Sequence, residues 1–258
     1  MFDLYSHSLP AIFFGSLVVL VAAGELGFWI ASRIPDEKSE STSMLAAAIL
    51  GLLALMIGFT FSMALSRFEA RQDAVLVEAN TIGTAALRAR LLPEPQRSQT
   101  LKLLQDYVKL RVDLTDRTVS REELDAAVAN SNALQESLWQ QAMAVAAVNT
   151  GMVPTGLYIQ SLNDMIDSQE KRLTAVRNRM PEDVLLALFA IAAVAGGVAA
   201  YASAGEPRRK RWPFYVMMVL IAGVILLLLD LDRPDSGFIR VSQQPMIDTA
   251  DSIAGFVK

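Results

Sequence analysis

Cysteine is absent from the 258 residues, so disulfides, thiolate metal centres and cysteine nucleophiles are excluded, and the redox compartment stays open. Histidine occurs once, at His7, where an interfacial side chain without a partner is the ordinary expectation. No glycine-rich loop is placed to cradle a phosphate. The pair Gly196 and Gly197 falls inside an apolar run, where it reads as close helix packing. An excess of basic charge is also missing: the net charge is -4 and the isoelectric point about 5.1, which leaves no electrostatic footprint for nucleic acid. No catalytic constellation, metal set or cofactor site emerges from this inventory. The expectation is a protein that is not an enzyme.

What the chain does have is apolar material. Hydrophobic residues make up 53%, the mean hydropathy is +0.35 and 19% of residues are charged, so the apolar residues must be segregated. Crossing a bilayer core of roughly 30 Å takes about 20 helical residues, and four runs are long enough. They cover Leu9 to Ala31, interrupted only by Glu25, then Met44 to Leu65 without a charge, then Val184 to Ser203, then Phe214 to Leu229 with Trp212 and Asp230 at its interfaces. Met1 to Pro10 has no basic region and no small-residue cleavage site follows, so the first run is expected to be a true span and not a cleaved signal peptide.

Orientation is read from lysine and arginine in short loops. Arg33 and Lys38 follow the first span, and Arg208, Arg209, Lys210 and Arg211 separate the third from the fourth, both on one side by parity. The positive-inside rule puts these loops in the cytoplasm and both termini, with the long insert, outside it. Arg67, Arg71, Arg177 and Arg179 flank the spans on the insert side and pull the other way.

Between spans two and three the chain becomes charged and periodic. Span two continues without a breaker to Leu92 and stops at Pro93 and Pro95. A second helix is expected from Gln96 to about Val119, with Leu101, Leu104, Val108, Val112 and Thr115 at helical spacing. A third opens at Ser120, which forms a capping box with Glu123, and ends near Asn149. Gly151, Pro154 and Gly156 suggest a loop, and a last helix is expected from Leu157 to about Met180. Acid and base pairs such as Asp167 and Lys171 stand four apart, as on a solvated helix face. The fold class is therefore an all-α integral membrane protein with four transmembrane helices and a helical-bundle insert between the second and third. The expected domains are 1–65, 66–182, 183–231 and an interfacial tail 232–258.

Several residues stand out as candidates for function. Glu25 is an ionisable group inside a span, where it needs a partner, a cavity or the interface near Arg33. Span two carries small residues at Ala47, Gly51, Ala54, Gly58 and Ser62 in steps of three and four. Such a stripe lets helices approach closely, or it marks a helix lining a pore in a symmetric ring. In the second case Met56, Phe59 and Met63 are candidates for a constriction, with Arg67 and Arg71 at its mouth. Glu78 lies two turns beyond Arg71 on the same face, while Asn80 and Thr84 neighbour each other on another. Buried polar groups must be paired, so Glu78 and Asn80 are expected to bond Asn163, Asp164 or Arg172 in a structural clamp, or alternatively to face an axis and meet ions. Asp230, Asp232 and Arg233 before Pro234 and Gly237 read as a helix exit and turn, with an acidic vestibule as the alternative.

Three segments resemble the bacterial bestrophin-like domain family. The first is Gly58-Phe59-Thr60-Phe61 leading through Arg67-Phe68 and Arg71 into Glu78-Ala79-Asn80-Thr81-Ile82-Gly83-Thr84-Ala85, Leu87-Arg88 and Leu91-Leu92-Pro93. The second is Leu162-Asn163-Asp164-Met165-Ile166-Asp167, then Arg172-Leu173 and Arg179-Met180-Pro181. The third is Leu229-Asp230-Leu231-Asp232-Arg233-Pro234, then Gly237 and Ile239-Arg240-Val241-Ser242. The resemblance implies a subunit of a homo-oligomeric ion channel, a pentamer if bestrophin-like. Its second span would line the pore and its helical insert would form a vestibule. Its partners would be the lipid bilayer of a bacterial inner membrane, other copies of itself and inorganic ions. A membrane-anchored sensor or scaffold whose insert binds a partner is the competing expectation.

Overall fold

The computed structural model describes residues 7–34, 40–113, 121–148, 152–204, 211–234 and 237–257. Among the described residues the regular structure is helical: α1 Leu9–Arg33, α2 Glu40–Ala89, α3 Gln96–Asp113, α4 Arg121–Val148, α5 Met152–Arg177, α6 Glu182–Ser203, α7 Trp212–Asp232 and α8 Gln244–Ala254. Four helical stretches are long and apolar enough to cross a membrane, within Leu9–Arg33, Ser41–Ala89, Pro154–Ser203 and Trp212–Asp232. In the third of these the apolar residues come from α6. The protein is therefore an all-α, multi-pass membrane protein.

Helix boundaries follow local chemistry. Pro10, Pro213 and Pro245 each fall in the first turn of α1, α7 and α8, where the missing amide donor has no helical acceptor to lose. The same reason overturns the expected loop at 151–156. Helix α5 already begins at Met152, so Pro154 sits in its first turn and Gly156 is an exposed helical residue. Helix α5 also ends at Arg177, short of Met180. The α2 helix stops at Ala89, with Leu91 and Leu92 turning back to bond the Arg88 and Ala89 carbonyls before Pro93. The capping box at Ser120 lies outside the described residues, as do Lys38 and the basic run Arg208 to Lys210.

The chain divides into two compact units, and α2 passes through both. The first holds Met1–Arg67, Arg179–Arg233 and Gly237–Ile239. There α1 packs on α6 and α7 through glycine. A side-chain carbon on Gly27 would overlap the Gly197 carbonyl, and one on Gly24 would overlap the Phe214 ring. Phe214 meets Phe28 edge to face, with centroids 5.2 Å apart. The apolar side chains of this unit carry no polar groups to align, so small residues that bring backbones together set its packing.

The second unit holds Phe68–Asn178, Pro234–Ser236 and Arg240–Lys258. Ile82, Leu104, Tyr107, Leu138, Tyr158, Leu162 and Met165 form its buried core. The stretch 244–254 contributes to this core. Helix α8 buries Met246 and Ile253, Thr249 donates to the Ala79 carbonyl at 3.3 Å, and Arg90 lies over the Phe256 ring. With Met246 and Ile253 seven residues apart, one side of a short amphipathic helix is apolar enough to dock.

Candidate functional site: the second span and the buried carboxylates

In its membrane half, α2 buries only a narrow line, Ala46, Leu53, Thr60 and Ala64. Thr60 satisfies its hydroxyl by donating to the Met56 carbonyl at 2.8 Å. Two residues back from Leu53 and Thr60 come Gly51 and Gly58, about 200° round a helix of 3.6 residues per turn. Gly51 and Gly58 therefore face away from the helices that α2 packs on among the described residues. Ala47, Gly51, Ala54, Gly58 and Ser62 are all exposed, and carbons added at Gly51 and Gly58 would meet open space. This contrasts with Gly24, Gly27 and Gly197, whose hydrogens are already in contact with neighbouring helices. Phe59 is 63% exposed, Met63 39% and Met56 half-buried.

Arg67 is half-buried and Arg71 buried within the subunit. Arg67 lies 3.7 Å from the fully buried Asp232 carboxylate, and the Arg71 side chain is buried. Removing a carboxylate from water demands a cation or strong donors nearby, which explains why Arg67 turns inward. Asp232 also accepts the Met180 backbone N–H at 2.9 Å, which fixes the residues that lead into α6. Asp230, two residues earlier, accepts the N–H groups of Phe238 and Ile239 at 2.8 and 3.0 Å. A side-chain carbon at Gly237 would overlap that carboxylate. Arg233 donates to the His7 carbonyl at 2.6 Å, so His7 is engaged through its backbone. These three charged residues are tied into the protein by ion pairs and hydrogen bonds.

Glu25 has partners on α7. Tyr215 donates its hydroxyl to the carboxylate at 2.6 Å, and Arg211 lies 3.1 Å away with its guanidinium over the Phe28 ring. Both charges of the pair are nearly half exposed, which suits an interfacial tie between α1 and α7.

In the second unit the Glu78 carboxylate is completely buried between two arginines. Arg111 from α3 places Nε 2.8 Å from Oε1, and Arg172 from α5 places Nη1 2.6 Å from Oε2. Arg172 also donates to Gln243 at 3.1 Å, just before α8. Beside this cluster runs a chain of amides: Tyr107 donates to Gln169 at 2.7 Å, Gln135 donates to both, and Gln169 donates to Asn132 at 3.1 Å. Burial pushes the Tyr107 phenol well above its usual range, and the negative charge of Glu78 adds to the effect. Thr81 and Ser168 share a further bond of 2.8 Å. Of the residues expected to meet, Glu78 and Arg172 do. Asn80, Thr84, Asn163 and Asp164 are exposed and do not join them.

Arg111, Tyr107, Gln135, Gln169 and Gln243 were missed as site residues. The signal for Arg111 was present: it stands seven residues after Leu104 and three after Val108, a charged side chain on the apolar stripe of α3. Such a position requires a buried counter-charge.

Residues 13–246 match the Bestrophin-like domain family. No curated protein matches the chain in sequence. In fold it is similar to a bacterial bestrophin homologue from Klebsiella pneumoniae carrying a single substitution, with a TM-score of 0.68 at 15% identity over 97% of each chain. It is also similar to the homologue from that organism solved by zinc phasing, with a TM-score of 0.65 at 14% identity, covering 95% of this chain and 96% of that one. With the match spanning both membrane pairs and the helical insert, the chain belongs to the Bestrophin-like domain family.

Proposed function

We propose that the chain is a subunit of a homo-oligomeric ion channel of a bacterial inner membrane, with α2 nearest the axis and the insert forming a vestibule. The observation that carries this reading is the orientation of α2. Gly51, Gly58 and Ser62 are exposed opposite the line it buries, with Ala47 and Ala54 exposed beside it, so the surface that would let helices or ions come close is turned outward from the subunit. Lipid alone does not require small residues, whereas a neighbouring copy or a narrow pathway does. A ring of five copies, the bestrophin-like arrangement, would present Met56, Phe59 and Met63 as successive constrictions. Permeant inorganic ions would pass from there into the vestibule. Charge in the short loops favours a cytoplasmic position for them, with the termini and the insert outside.

Planar-bilayer recording of the purified full-length protein, together with its mass in detergent, tests the reading. Unitary currents from an oligomer are expected. A monomer that conducts in no common salt overturns it. The scaffold reading draws on a groove of about 490 Å³ between α3 and α4, lined by Asp106, Lys109, Leu110, Asp113, Asn130 and Leu134 among others. It requires an oligomer or monomer that is folded but silent.

A further inference from the structure

The face of α7 turned away from its neighbours is apolar until its last turn. Val216, Leu220, Gly223 and Leu227 follow one another at steps of four, three and four, which keeps them on one side of the helix. All but the half-buried Gly223 are exposed, as is Val219 beside them. Phe214, Met218, Ala222 and Ile225 are buried on the opposite face. Asp230, three residues beyond Leu227, is the next position of the outward stripe, yet it is 2% exposed. The turn 237–239 covers its carboxylate. Phe238 and Ile239 donate their backbone N–H groups to it at 2.8 and 3.0 Å, and Gly237 lies so close that a side-chain carbon there would overlap it. A carboxylate on a face directed at hydrocarbon is costly to leave unsolvated, and two amide donors replace the water it gives up.

The Phe238 side chain takes no part in this cover. Any residue with a backbone N–H could make the bond, but the position holds a phenyl ring that is 80% exposed. Its depth follows from the bond: Asp230 is the first charged residue after Arg211, so the ring stands where the span leaves the hydrocarbon. At the other end of α7 stands Trp212, 63% exposed. From Trp212 to Asp230 the helix rises about 27 Å, close to the roughly 30 Å of a bilayer core. Aromatic side chains at both limits of such a span match the two boundaries between water and lipid. We infer that the turn 237–239 is a lipid anchor: its backbone seals Asp230 from the hydrocarbon, and Phe238 inserts its ring just beneath the headgroups of the leaflet at the C-terminal end of α7. Phenylalanine has no polar tip to leave among the headgroups, which places the ring on the acyl-chain side of that boundary. The inference requires α7 to be a span and does not depend on ion conduction.

The absence of cysteine makes the test direct. Phe238→Cys is made in the full chain, labelled with a nitroxide and reconstituted into vesicles of phosphatidylcholine and phosphatidylglycerol. Leu220→Cys in mid-span and Met143→Cys on the exposed side of α4 are the controls, both at exposed positions. Electron paramagnetic resonance with oxygen, which concentrates among acyl chains, and with a water-soluble nickel chelate reports the depth of each label. The ratio of oxygen to nickel accessibility at 238 is expected to lie well above that at 143 and at or below that at 220. A ratio equal to that at 143 puts the residue in water and overturns the anchor. A label shielded from both reagents is covered by protein, such as another copy, and overturns it equally. Because the side chain makes no bond in the turn, the labelled variant is expected to keep the parent's melting temperature. If it does not fold, Phe238→Trp decides: quenching of its added fluorescence by lipid brominated in the acyl chains supports insertion, and unquenched emission overturns it.

Discussion

Arg111 and Glu78 meet side by side, with Nε 2.8 Å from Oε1 and Nη2 3.3 Å from Oε2, in the interior of the helical insert. A fork against a carboxylate fixes the relative rotation of α2 and α3 as well as their distance. Because Arg172 of α5 shares the same carboxylate, one buried acid sets the register of three helices.

Replacing Glu78 by Gln keeps the shape but leaves two buried guanidinium groups without a counter-charge. The loss of stability expected is about 3–5 kcal/mol, as for other broken buried pairs. A thermal melt of the purified protein checks it. The exposed Glu136→Gln is the comparison, with an effect within about 0.5 kcal/mol.

The Tyr107 phenol binds its proton more tightly in the folded chain than in the unfolded one. Its contribution to stability is therefore complete below the unfolded value of about 10 and is lost as pH rises beyond it. Tyr107→Phe is expected to lower the melting temperature at neutral pH by removing the bond to Gln169, while flattening its decline at alkaline pH. An unchanged alkaline slope in a pH series of melts would count against the assignment.

Glycines on different helices are expected to respond in opposite ways. Gly27→Val forces a side chain into the Gly197 carbonyl, and backbone cannot yield cheaply, so folded protein should be lost. Gly51→Ala and Gly58→Ala meet open space within the subunit and should leave its stability unimpaired or raise it by up to about 1 kcal/mol, since alanine is the better helix former. Size-exclusion profiles and melts of the three variants decide this. A shift in conductance with Gly58→Ala would place that face at the pathway.

Asp230 and Gly237 act as a unit, the carboxylate filling the space that the glycine leaves. Hydrogen bonds to a charged group contribute roughly 1.5–3 kcal/mol, so Asp230→Ala and Gly237→Ala should each destabilise by about that amount. The double variant should cost far less than the sum, which a double-mutant cycle measures.

If α2 lines the pathway, Phe59→Ala widens its bulkiest exposed position and should raise unitary conductance in planar bilayers. An unaltered current would assign Phe59 to the lipid or to a neighbouring copy.

Much of the fold was legible because hydrophobic length and proline are local signals. Span two running unbroken into the insert followed from the lack of any breaker between Met44 and Leu92. Helix α8 is not legible in the sequence, since 11 residues with two buried apolar positions fall below what periodicity can separate from a loop. The start of α5 is not legible from Pro154, because a proline is compatible both with a loop and with the first turn of a helix. At the buried carboxylates, Glu78 and Arg172 were identifiable as groups that must find partners. Which partner each took was another matter, because Arg111 is 33 residues from Glu78 and Arg172 is 94.

By itself the amino-acid order determined the four apolar helices, the polar helical insert between the second and third, and the membership in a family whose motifs run from Gly58 to Ser242. Those properties depend on length, composition and neighbours along the chain. Only the tertiary structure decided which side of α2 is turned outward, that Asp230 and Asp232 are internal ties, and that one carboxylate joins α2, α3 and α5. Rotation about a helix axis is set by what packs on the other side, and a uniformly apolar helix such as span two carries little record of that in its own sequence.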